Sequence, residues 1–506
     1  MPKTATNGKK LTTQQSLDSA IWSVCDILRR SNCAGALQYV PELTWMLFLR
    51  ILDEQEQADA EQAEAVGADY TPSLAAPYRW RDWAAPNGGR RIALQYAPSG
   101  AFFAFVNGDL IPHLKGLGRK PNATPRRQVI SEILSGVERT RVDTERNLLD
   151  VLDKLDTIRL ENVDPTHMFA LSQIYEGLLL KMGEKGNDGG QFFTPREIIR
   201  ALVQAVDPRL GETIYDPCCG TGGFLAQAYE YLTDERRHPD LTADQLDTLK
   251  GRTFYGREKE NLIYPIALAN LVLHGIDQPH LWHGNTLTGG ETYGGLFQQA
   301  PALFDVILTN PPFGGKEGPE AQTHFAYKTS ATQVLFLQHV IDHLKPGGRC
   351  GIVLDEGVLF RTNETAFMQT KRKLLNECEL QAIVSLPGGV FTAAGAGVKT
   401  NLLLFTKGQP TERIWYYDLS DIKVGKTRPF TLDRFAGFFD LLPTRGDSDR
   451  SWTVDRAAIE AKNYDLKAVN PHAKGDTDTR TPDDLLDLIE AQGREVAAAL
   501  ASLRGR

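Results

Sequence analysis

Short apolar segments alternate with helical stretches through the middle of the chain, and this pattern constrains the fold more than any other feature. Helical stretches at Phe224–Leu232 and Leu262–Leu273 separate the first three apolar segments. Buried strands that alternate with helices are typical of a parallel sheet covered on both faces. The sequence therefore predicts an α/β fold with an open, mostly parallel, Rossmann-like sheet. The predicted strands are Thr213–Asp216, Thr253–Gly256, Asp305–Thr309, Arg349–Leu354, Leu380–Ser385 and Asn401–Phe405.

The regions on either side of this segment differ from it. Residues 11–160 carry apolar residues at three- and four-residue spacing, which is typical of amphipathic helices. Beyond Gly408 the chain is polar and ends in an amphipathic stretch, Pro482–Leu503, which either packs on its own domain or binds a partner. We therefore predict a helical N-terminal domain over 1–165, an α/β domain over 166–420 and a C-terminal extension with a helical tail over 421–506.

Two segments of the N-terminal region depart from the helical pattern. The segment Tyr78–Tyr96 carries Trp, Arg, Pro and Gly and is predicted to be a loop or a short hairpin. The segment His113–Arg127, which we call the basic segment, has no acidic residue. It has two interpretations, a solvated loop or a patch that binds phosphate groups. Its basic side chains are Lys115, Arg119, Lys120, Arg126 and Arg127.

Composition and charge exclude several classes of protein. The 506 residues are 42% hydrophobic and 24% charged, which is the balance of an ordinary globular protein. No apolar run approaches the roughly 20 residues of a membrane helix, and the N-terminal segment lacks the apolar core of a secretory signal. The six cysteines form neither a disulfide framework nor a zinc spacing, so we expect a reducing cytoplasm and no metal. The net charge of −8 argues against a chain that grips nucleic acid unaided.

A glycine-rich turn follows the first predicted strand, in the run TIYDPCCGTGGFL. Such a turn lets a cofactor approach the backbone, although a tight strand–helix connection has the same pattern. Leu225 stands where a dinucleotide fingerprint has its last small residue, and the Gly-Lys-Ser/Thr of a Walker loop is absent. The carboxylate of Asp216 repels a pyrophosphate and attracts an ammonium group. These features favour S-adenosylmethionine over NAD or ATP.

A second acidic residue, Glu258, ends the next predicted strand in the run FYGRE. A carboxylate can accept from two hydroxyl donors, so Glu258 is placed to bind both ribose hydroxyls of the cofactor. The alternative is an exposed Glu at the start of a helix. It is the weaker interpretation because Glu258 follows the Asp216 turn in the expected order.

The run NPPF at Asn310–Phe313 follows a third apolar strand. As a bare tetrapeptide it is an ordinary turn, but its position suits an exocyclic amine as the nucleophile. The Asn310 side-chain oxygen and the Pro311 carbonyl can accept from both N–H groups of such an amine. Pro311 and Pro312 stiffen the turn, and Phe313 offers a face on which an extruded base can stack. Proximity and orientation then supply most of the acceleration.

The order of these motifs resembles that of the amino-methyltransferases of DNA. More closely, it is similar to the modification subunit of type I restriction–modification systems. The resemblance covers most of residues 15–410 and rests on QFFTPR, DPCCGTGGFL, Glu258 and NPPF, with NLVLHGI, GGRCGIVLDEGVLF and LPGGVFTAAGAGVKTNLLLF.

This resemblance implies a fold, an activity and a set of partners. The fold is a helical N-terminal domain that contacts DNA or a partner, followed by a methyltransferase domain. The activity is transfer of a methyl group from S-adenosylmethionine to N6 of adenine in double-stranded DNA. The implied partners are a separate specificity subunit, which the C-terminal extension would contact, a nuclease/translocase subunit, and a second copy of this chain.

The resemblance also assigns roles to individual residues. Asn285 stands where the family usually has Asp to bind the cofactor adenine, and its amide oxygen still accepts. Cys218 and Cys219 stand where small residues are usual, and we interpret them as packing. Phe391 is either the second aromatic of a base sandwich or a loop residue that caps the core. The residues expected to bind the cofactor are Gln191, Phe192, Phe193, Thr194, Pro195, Arg196, Asp216, Gly220, Thr221, Gly222, Gly223, Glu258 and Asn285.

Two other functions stay open on the sequence. One is a self-contained methyltransferase that acts on DNA or on a protein glutamine, since NPP-aromatic turns serve both. The long helical N-terminal region argues against it. The other is a binding subunit that keeps the fold while another chain performs the chemistry, and the intact Asp216, Glu258 and NPPF set argues against that.

Overall fold

The computed structural model describes residues 14–33, 36–158, 194–288, 295–391, 398–425, 428–472, 486 and 490–494. Gln191, Phe192, Phe193 and most of the amphipathic stretch Pro482–Leu503 lie outside these residues. In the described part of the chain no helix combines the length and the apolar character needed to cross a membrane.

The described residues form a nine-stranded sheet at the centre of the α/β region. The strands are β1 (Ile214–Asp216), β2 (Phe254–Glu258), β3 (His280–His283), β4 (Phe304–Thr309), β5 (Leu344–Asp355), β6 (Cys378–Ser385), β7 (Thr400–Lys407), β8 (Arg413–Asp418) and β9 (Ser451–Asp455).

The order of the strands in the sheet is β3-β2-β1-β4-β5-β7-β6-β8-β9. Strands β1 to β5 pair in parallel wherever they are neighbours, and β6 is parallel to β8. Strand β7 is antiparallel to β5 and β6, and β9 is antiparallel to β8. The predicted open, mostly parallel sheet is confirmed.

The six predicted strands are present as β1, β2, β4, β5, β6 and β7, with ends that shift by up to five residues. Strands β3, β8 and β9 were not predicted. Two of the four residues of β3 are histidines, and neither side chain is fully buried, so the strand lacks an apolar run. Strand β9 extends the sheet past residue 420, into the predicted C-terminal extension.

Helices build the N-terminal region and cover both faces of the sheet. Helix Tyr264–Leu273 is buried along nearly its whole length, because it lies between the sheet and the N-terminal helices. The N-terminal helices are Gln14–Arg30, Ala36–Ala65, Trp80–Trp83, Gly89–Gln95, Ala101–Phe105, Ile111–Gly116, Pro125–Ile133 and Glu145–Asp156, with a π turn at Val106–Leu110 and a 3₁₀ turn at Leu117–Arg119. The others are Arg196–Val206, Gly223–Thr233, Ala243–Arg252, Tyr264–Leu273, Pro319–Gln322, Thr332–His343, Glu356–Phe360, Thr365–Glu377, Ala436–Leu441 and Arg456–Ala461, with 3₁₀ turns at Gly295–Phe297 and Leu432–Phe435.

The prediction of a loop or hairpin at Tyr78–Tyr96 is wrong, because this segment contains two short helices. Trp80 and Trp83 are both buried, and Trp83 stacks on Trp45 with ring centroids 6.4 Å apart. The Trp80 Nε1–H donates to Asp156 Oδ1 at 2.8 Å. The three-residue spacing of the tryptophans places both rings on one helix face, and this burial outweighs the turn-forming residues around them.

Two arginines of the basic segment join parts of the protein. Arg126 Nη2 donates to Asp277 Oδ1 at 2.5 Å, and its Nη1 donates to Asp59 Oδ2 at 3.3 Å. Arg127 Nε donates to the Ser73 carbonyl at 2.9 Å. The internal contacts of Arg126 and Arg127 fit neither of the two interpretations of this segment, a solvated loop or a patch that binds phosphate groups. Arg126 instead links the helical N-terminal domain to the α/β domain, because Asp277 lies just beyond helix Tyr264–Leu273.

We expect the substitution Arg126→Met to lower the free energy of unfolding by about 2–3 kcal/mol, because it removes a cation shared by the carboxylates of Glu56, Asp59 and Asp277. Arg119 is exposed in the same segment, so Arg119→Met should change stability by no more than about 0.5 kcal/mol. Urea denaturation of the full chain measures both values. Equal effects of the two substitutions would contradict an internal role for Arg126.

Candidate active site

A cleft lies at the carboxyl ends of β1, β2 and β4, where the strand order reverses between β1 and β4. Open α/β sheets bind their ligands at such a switch point. The cleft encloses about 240 Å³. It brings together residues from five separate segments of the sequence. The predicted residues that line it are Thr194, Asp216, Gly220, Thr221, Gly223, Glu258, Asn285, Asn310 and Pro312.

Other predicted residues lie beside the cleft without lining it. Pro195 precedes helix Arg196–Val206, and Arg196 is its first residue. Gly222 packs against the core instead, since an added Cβ there would lie 3.1 Å from the Leu271 side chain. Gln191, Phe192 and Phe193 lie outside the described residues.

The glycine loop is shaped by close contacts. Gly222 has a φ of +80°, which an L side chain rarely adopts. A Cβ on Gly223 would lie 2.9 Å from Ile199 Cδ1. Glycine at both positions therefore lets helix Gly223–Thr233 start directly against helix Arg196–Val206, with the loop backbone open to the cleft.

Asp216 is buried at the end of β1. Its Oδ1 accepts from the Cys218 N–H at 3.1 Å and from the Thr309 hydroxyl at 2.7 Å. Burial raises the pKa of this carboxyl to about 7, and the two hydrogen bonds act in the opposite direction. A buried carboxylate of this kind is stabilised by a cation that comes close to it.

A chain of hydrogen bonds runs from Cys218 to Asp216 through Thr309. Cys218 Sγ lies 3.0 Å from Thr309 Oγ1. The single Thr309 hydroxyl proton goes to Asp216, so the Cys218 thiol is the donor to Thr309. Burial and the Asp216 charge raise the pKa of the Cys218 thiol well above its usual value. Cys218 is half-buried and lines the cleft, so the packing role stays a prediction.

Glu258 connects the end of β2 to the glycine loop. Its Oε2 accepts from the Gly220 N–H at 2.9 Å, and its Oε1 accepts from the Glu260 N–H at 2.8 Å. Burial raises the pKa of this carboxyl to about 7. Each carboxylate oxygen has a further lone pair, so both can accept another hydrogen bond from a ligand in the cleft.

Among the described residues, only the nitrogen of the Asn310 side-chain amide has a hydrogen-bond partner. Its Nδ2 donates to Thr194 Oγ1 at 2.9 Å. Its Oδ1 is buried and accepts no hydrogen bond from the described residues. A buried acceptor without a donor costs free energy. The bond to Thr194 therefore holds an acceptor that is ready for an N–H donor from a ligand.

The adjacent carbonyl is held by a residue that the sequence analysis did not identify. Gln333 Nε2 donates to the Pro311 carbonyl at 3.0 Å, and Gln333 Oε1 accepts from the Asp355 N–H at 3.0 Å. Gln333 is buried in helix Thr332–His343. A buried Gln on an apolar helix is the signal that points to it, because such an amide needs partners on both sides.

The two aromatic residues assigned to base stacking contact each other. The rings of Phe313 and Phe391 are 5.3 Å apart and nearly perpendicular. Phe391 is buried, whereas Phe313 is half-buried. In this arrangement Phe391 supports Phe313 from the core, and of the two rings Phe313 is the one with an accessible face.

Asn285 lies beyond the end of β3 and next to Glu258, since the Gly284 N–H donates to the Glu258 carbonyl at 2.9 Å. Its Oδ1 accepts from the Leu287 N–H at 3.0 Å, and its Nδ2 donates to Glu317 Oε2 at 3.3 Å. Glu317 also lines the cleft and was not identified from the sequence.

Two family models match the chain. The N-6 DNA Methylase family matches residues 167–479, and the HsdM N-terminal domain matches residues 17–155. The first match includes the sheet and the cleft, and the second includes the helical N-terminal region.

Methylase subunits of type I restriction enzymes are similar to this chain over most of their length. The EcoEI methylase subunit of a type I restriction enzyme from Escherichia coli is 36% identical over 97% of each chain. The EcoKI methylase subunit from E. coli K12 is 31% identical over 83% of this chain and 75% of its own length.

Solved structures agree with these sequence relatives. A chain from a type I restriction–modification system has a TM-score of 0.71, with 35% identity over 97% of this chain and 98% of that one. A crystal structure from Vibrio vulnificus YJ016, described as a modification subunit of a type I restriction enzyme, has a TM-score of 0.79, with 31% identity over 92% and 98% of the two chains. The chain therefore belongs to the methylase subunits of type I restriction enzymes, within the N-6 DNA methylase family.

Proposed function

We propose that this chain transfers a methyl group from S-adenosylmethionine to the exocyclic N6 of an adenine in double-stranded DNA. A separate specificity subunit reads the DNA sequence. The observation that carries the proposal is the buried Asn310 oxygen, which has no donor among the described residues and is fixed by Thr194 in a cleft that also holds two buried carboxylates.

The residues of the cleft fit this cofactor. Asp216 suits the ammonium group of the methionine part, because the described residues give this buried carboxylate no cationic partner, and such a carboxylate is costly. Glu258 keeps lone pairs on both oxygens for the two ribose hydroxyls. When bound, the cofactor supplies a sulfonium methyl group, which is a strong electrophile with a good leaving group. The protein then has to place and orient the nucleophile.

Asn310 and Pro311 perform that task. The amine nitrogen of adenine attacks poorly because its lone pair is delocalised into the ring. The Asn310 oxygen and the Pro311 carbonyl accept from its two N–H groups and direct the lone pair toward the methyl group. Because Gln333 takes one lone pair of the Pro311 carbonyl, the second lone pair of that oxygen serves the substrate. Orientation of this kind supplies a large share of a rate enhancement.

The target base must leave the duplex to reach the cleft, and Phe313 provides the face on which it stacks. The chain has a net charge of −8, so a wide basic face of its own is not what holds the duplex. We infer that a specificity subunit supplies most of the DNA contact, together with a second copy of this chain. A nuclease/translocase subunit joins this complex for restriction.

The substitution Asn310→Ala tests the proposed chemistry. We expect methyl transfer by the complex with the specificity subunit to fall by about a hundredfold or more, because the amine loses its side-chain acceptor. Cofactor binding, measured by titration calorimetry, should stay nearly unchanged. Asn87→Ala is the matched control, since Asn87 is exposed in the helical domain. Loss of both methyl transfer and cofactor binding, or of neither, would contradict the role assigned to Asn310.

The Thr194 hydroxyl is predicted to position the Asn310 amide. Thr194→Val keeps the shape but removes the acceptor, so kcat should fall by about tenfold, the equivalent of one hydrogen bond. Thr194→Ser keeps the hydroxyl and should restore most of the rate. Steady-state kinetics of the complex separates this effect from a change in KM. If Val and Ser behave alike, the hydroxyl does not orient Asn310.

A further inference from the structure

Asn285 and Glu317 form a polar pair in the wall of the cleft. The two side chains come from different parts of the sheet, one after β3 and the other seven residues after Asn310. Their contact joins Asn285 Nδ2 to Glu317 Oε2 at 3.3 Å. Both residues line the cleft, so the pair faces whatever the cleft binds.

The orientation of the Asn285 amide is fixed from both sides. A carboxylate only accepts, so the amide nitrogen must face Glu317. The backbone N–H of Leu287 only donates, so the amide oxygen must face Leu287, at 3.0 Å. A flipped amide would place oxygen against carboxylate and nitrogen against N–H. Among the described residues, the second N–H of Asn285 has no partner and its oxygen keeps one further lone pair, so the amide can still donate to a ligand in the cleft.

Glu317 is held in place while its carboxylate keeps free capacity. Its N–H donates to the Ser330 carbonyl at 2.8 Å, and its carbonyl accepts from Gln322 Nε2 at 3.0 Å. Thr332 Oγ1 donates to Glu317 Oε1 at 3.4 Å. The contacts of the carboxylate, at 3.3 and 3.4 Å, are long for hydrogen bonds to a charged group. The Glu317 carboxylate therefore has lone pairs available for a donor at a shorter distance.

We propose that Glu317 accepts from the exocyclic amine of the cofactor's adenine ring, while Asn285 Nδ2 donates to the neighbouring ring nitrogen. An acceptor beside a donor matches an adenine edge, which presents an amine beside a ring nitrogen acceptor. A hypoxanthine edge presents the reverse pattern, an oxygen beside a ring N–H. Its oxygen would face the Glu317 carboxylate, and its N–H would face the N–H of Asn285. This assignment rests on the proposed use of S-adenosylmethionine.

The pair also has a purely structural interpretation, in which Glu317 only fixes the segment that follows the NPPF turn. The isolated bridge between Lys316 and Ala331 closes that segment. A structural role predicts that loss of the carboxylate weakens every ligand of the cleft equally. Recognition of adenine predicts a loss that depends on the base of the ligand.

Titration calorimetry of the full chain with S-adenosylhomocysteine and with its deaminated analogue, S-inosylhomocysteine, separates the two interpretations. The wild-type chain should favour the adenine ligand by about tenfold or more, because the analogue leaves polar groups unpaired. Glu317→Gln should weaken the adenine ligand by about tenfold and bring the ratio of the two dissociation constants close to one. The amide that it introduces can donate to the oxygen of the analogue. Glu320→Gln, at an exposed position three residues further on, should leave both affinities unchanged.

The other outcomes contradict the assignment in distinguishable ways. Equal weakening of both ligands in Glu317→Gln would overturn adenine recognition and leave a structural role. An unchanged affinity for S-adenosylhomocysteine would remove Glu317 from the binding site. In both cases the wild-type chain still binds S-adenosylhomocysteine, so the proposed cofactor survives. A wild-type chain that binds neither ligand would overturn the cofactor itself, and the role of Glu317 with it.

Discussion

Parallel pairing of β1 with β2 and β4 is the constraint on which the rest of the site depends. The register places Ile214 beside both Phe254 and Val306. The carboxyl ends of the three strands therefore share one edge of the sheet. Asp216, Glu258 and Asn310 follow at these ends. These three residues are spread over almost a hundred positions in the sequence. They come together because the pairing of the strands places the strand ends side by side.

Side chains then connect the loops that the sheet brings together. Thr309 ties the start of the NPPF turn to Asp216, and Glu258 ties the end of β2 to the glycine loop. Gln333 joins the turn to the end of β5. Each of these bonds satisfies a polar group that would otherwise be buried without a partner. The consequence is a cleft in which Thr194 positions the Asn310 oxygen, to which no described residue donates. Preorganised acceptors of this kind suit a reaction that needs orientation more than acid–base chemistry.

The sequence predicts the parts of this structure that follow from local patterns. Apolar runs locate six strands, and glycine and proline motifs at their ends locate the cleft residues. Residues that act through tertiary contact leave a weaker signal. Gln333 and Glu317 stand in segments with no motif, and their partners lie on other elements. The prediction of a loop or hairpin at Tyr78–Tyr96 is wrong because the burial of two tryptophans outweighs the turn-forming residues around them. The activity and the partners are inferred from the resemblance to a family, because the pattern and spacing of residues alone do not indicate them.

We propose that this chain methylates adenine in DNA only as part of a complex in which another subunit reads the DNA sequence. The most direct measurement is transfer of a labelled methyl group from S-adenosylmethionine to unmethylated DNA, followed by analysis of the labelled nucleoside. It is made with this chain alone and then with its specificity subunit. We predict labelled N6-methyladenine only when both proteins are present. Efficient labelling by the lone chain, or label in cytosine or in protein, would contradict the account.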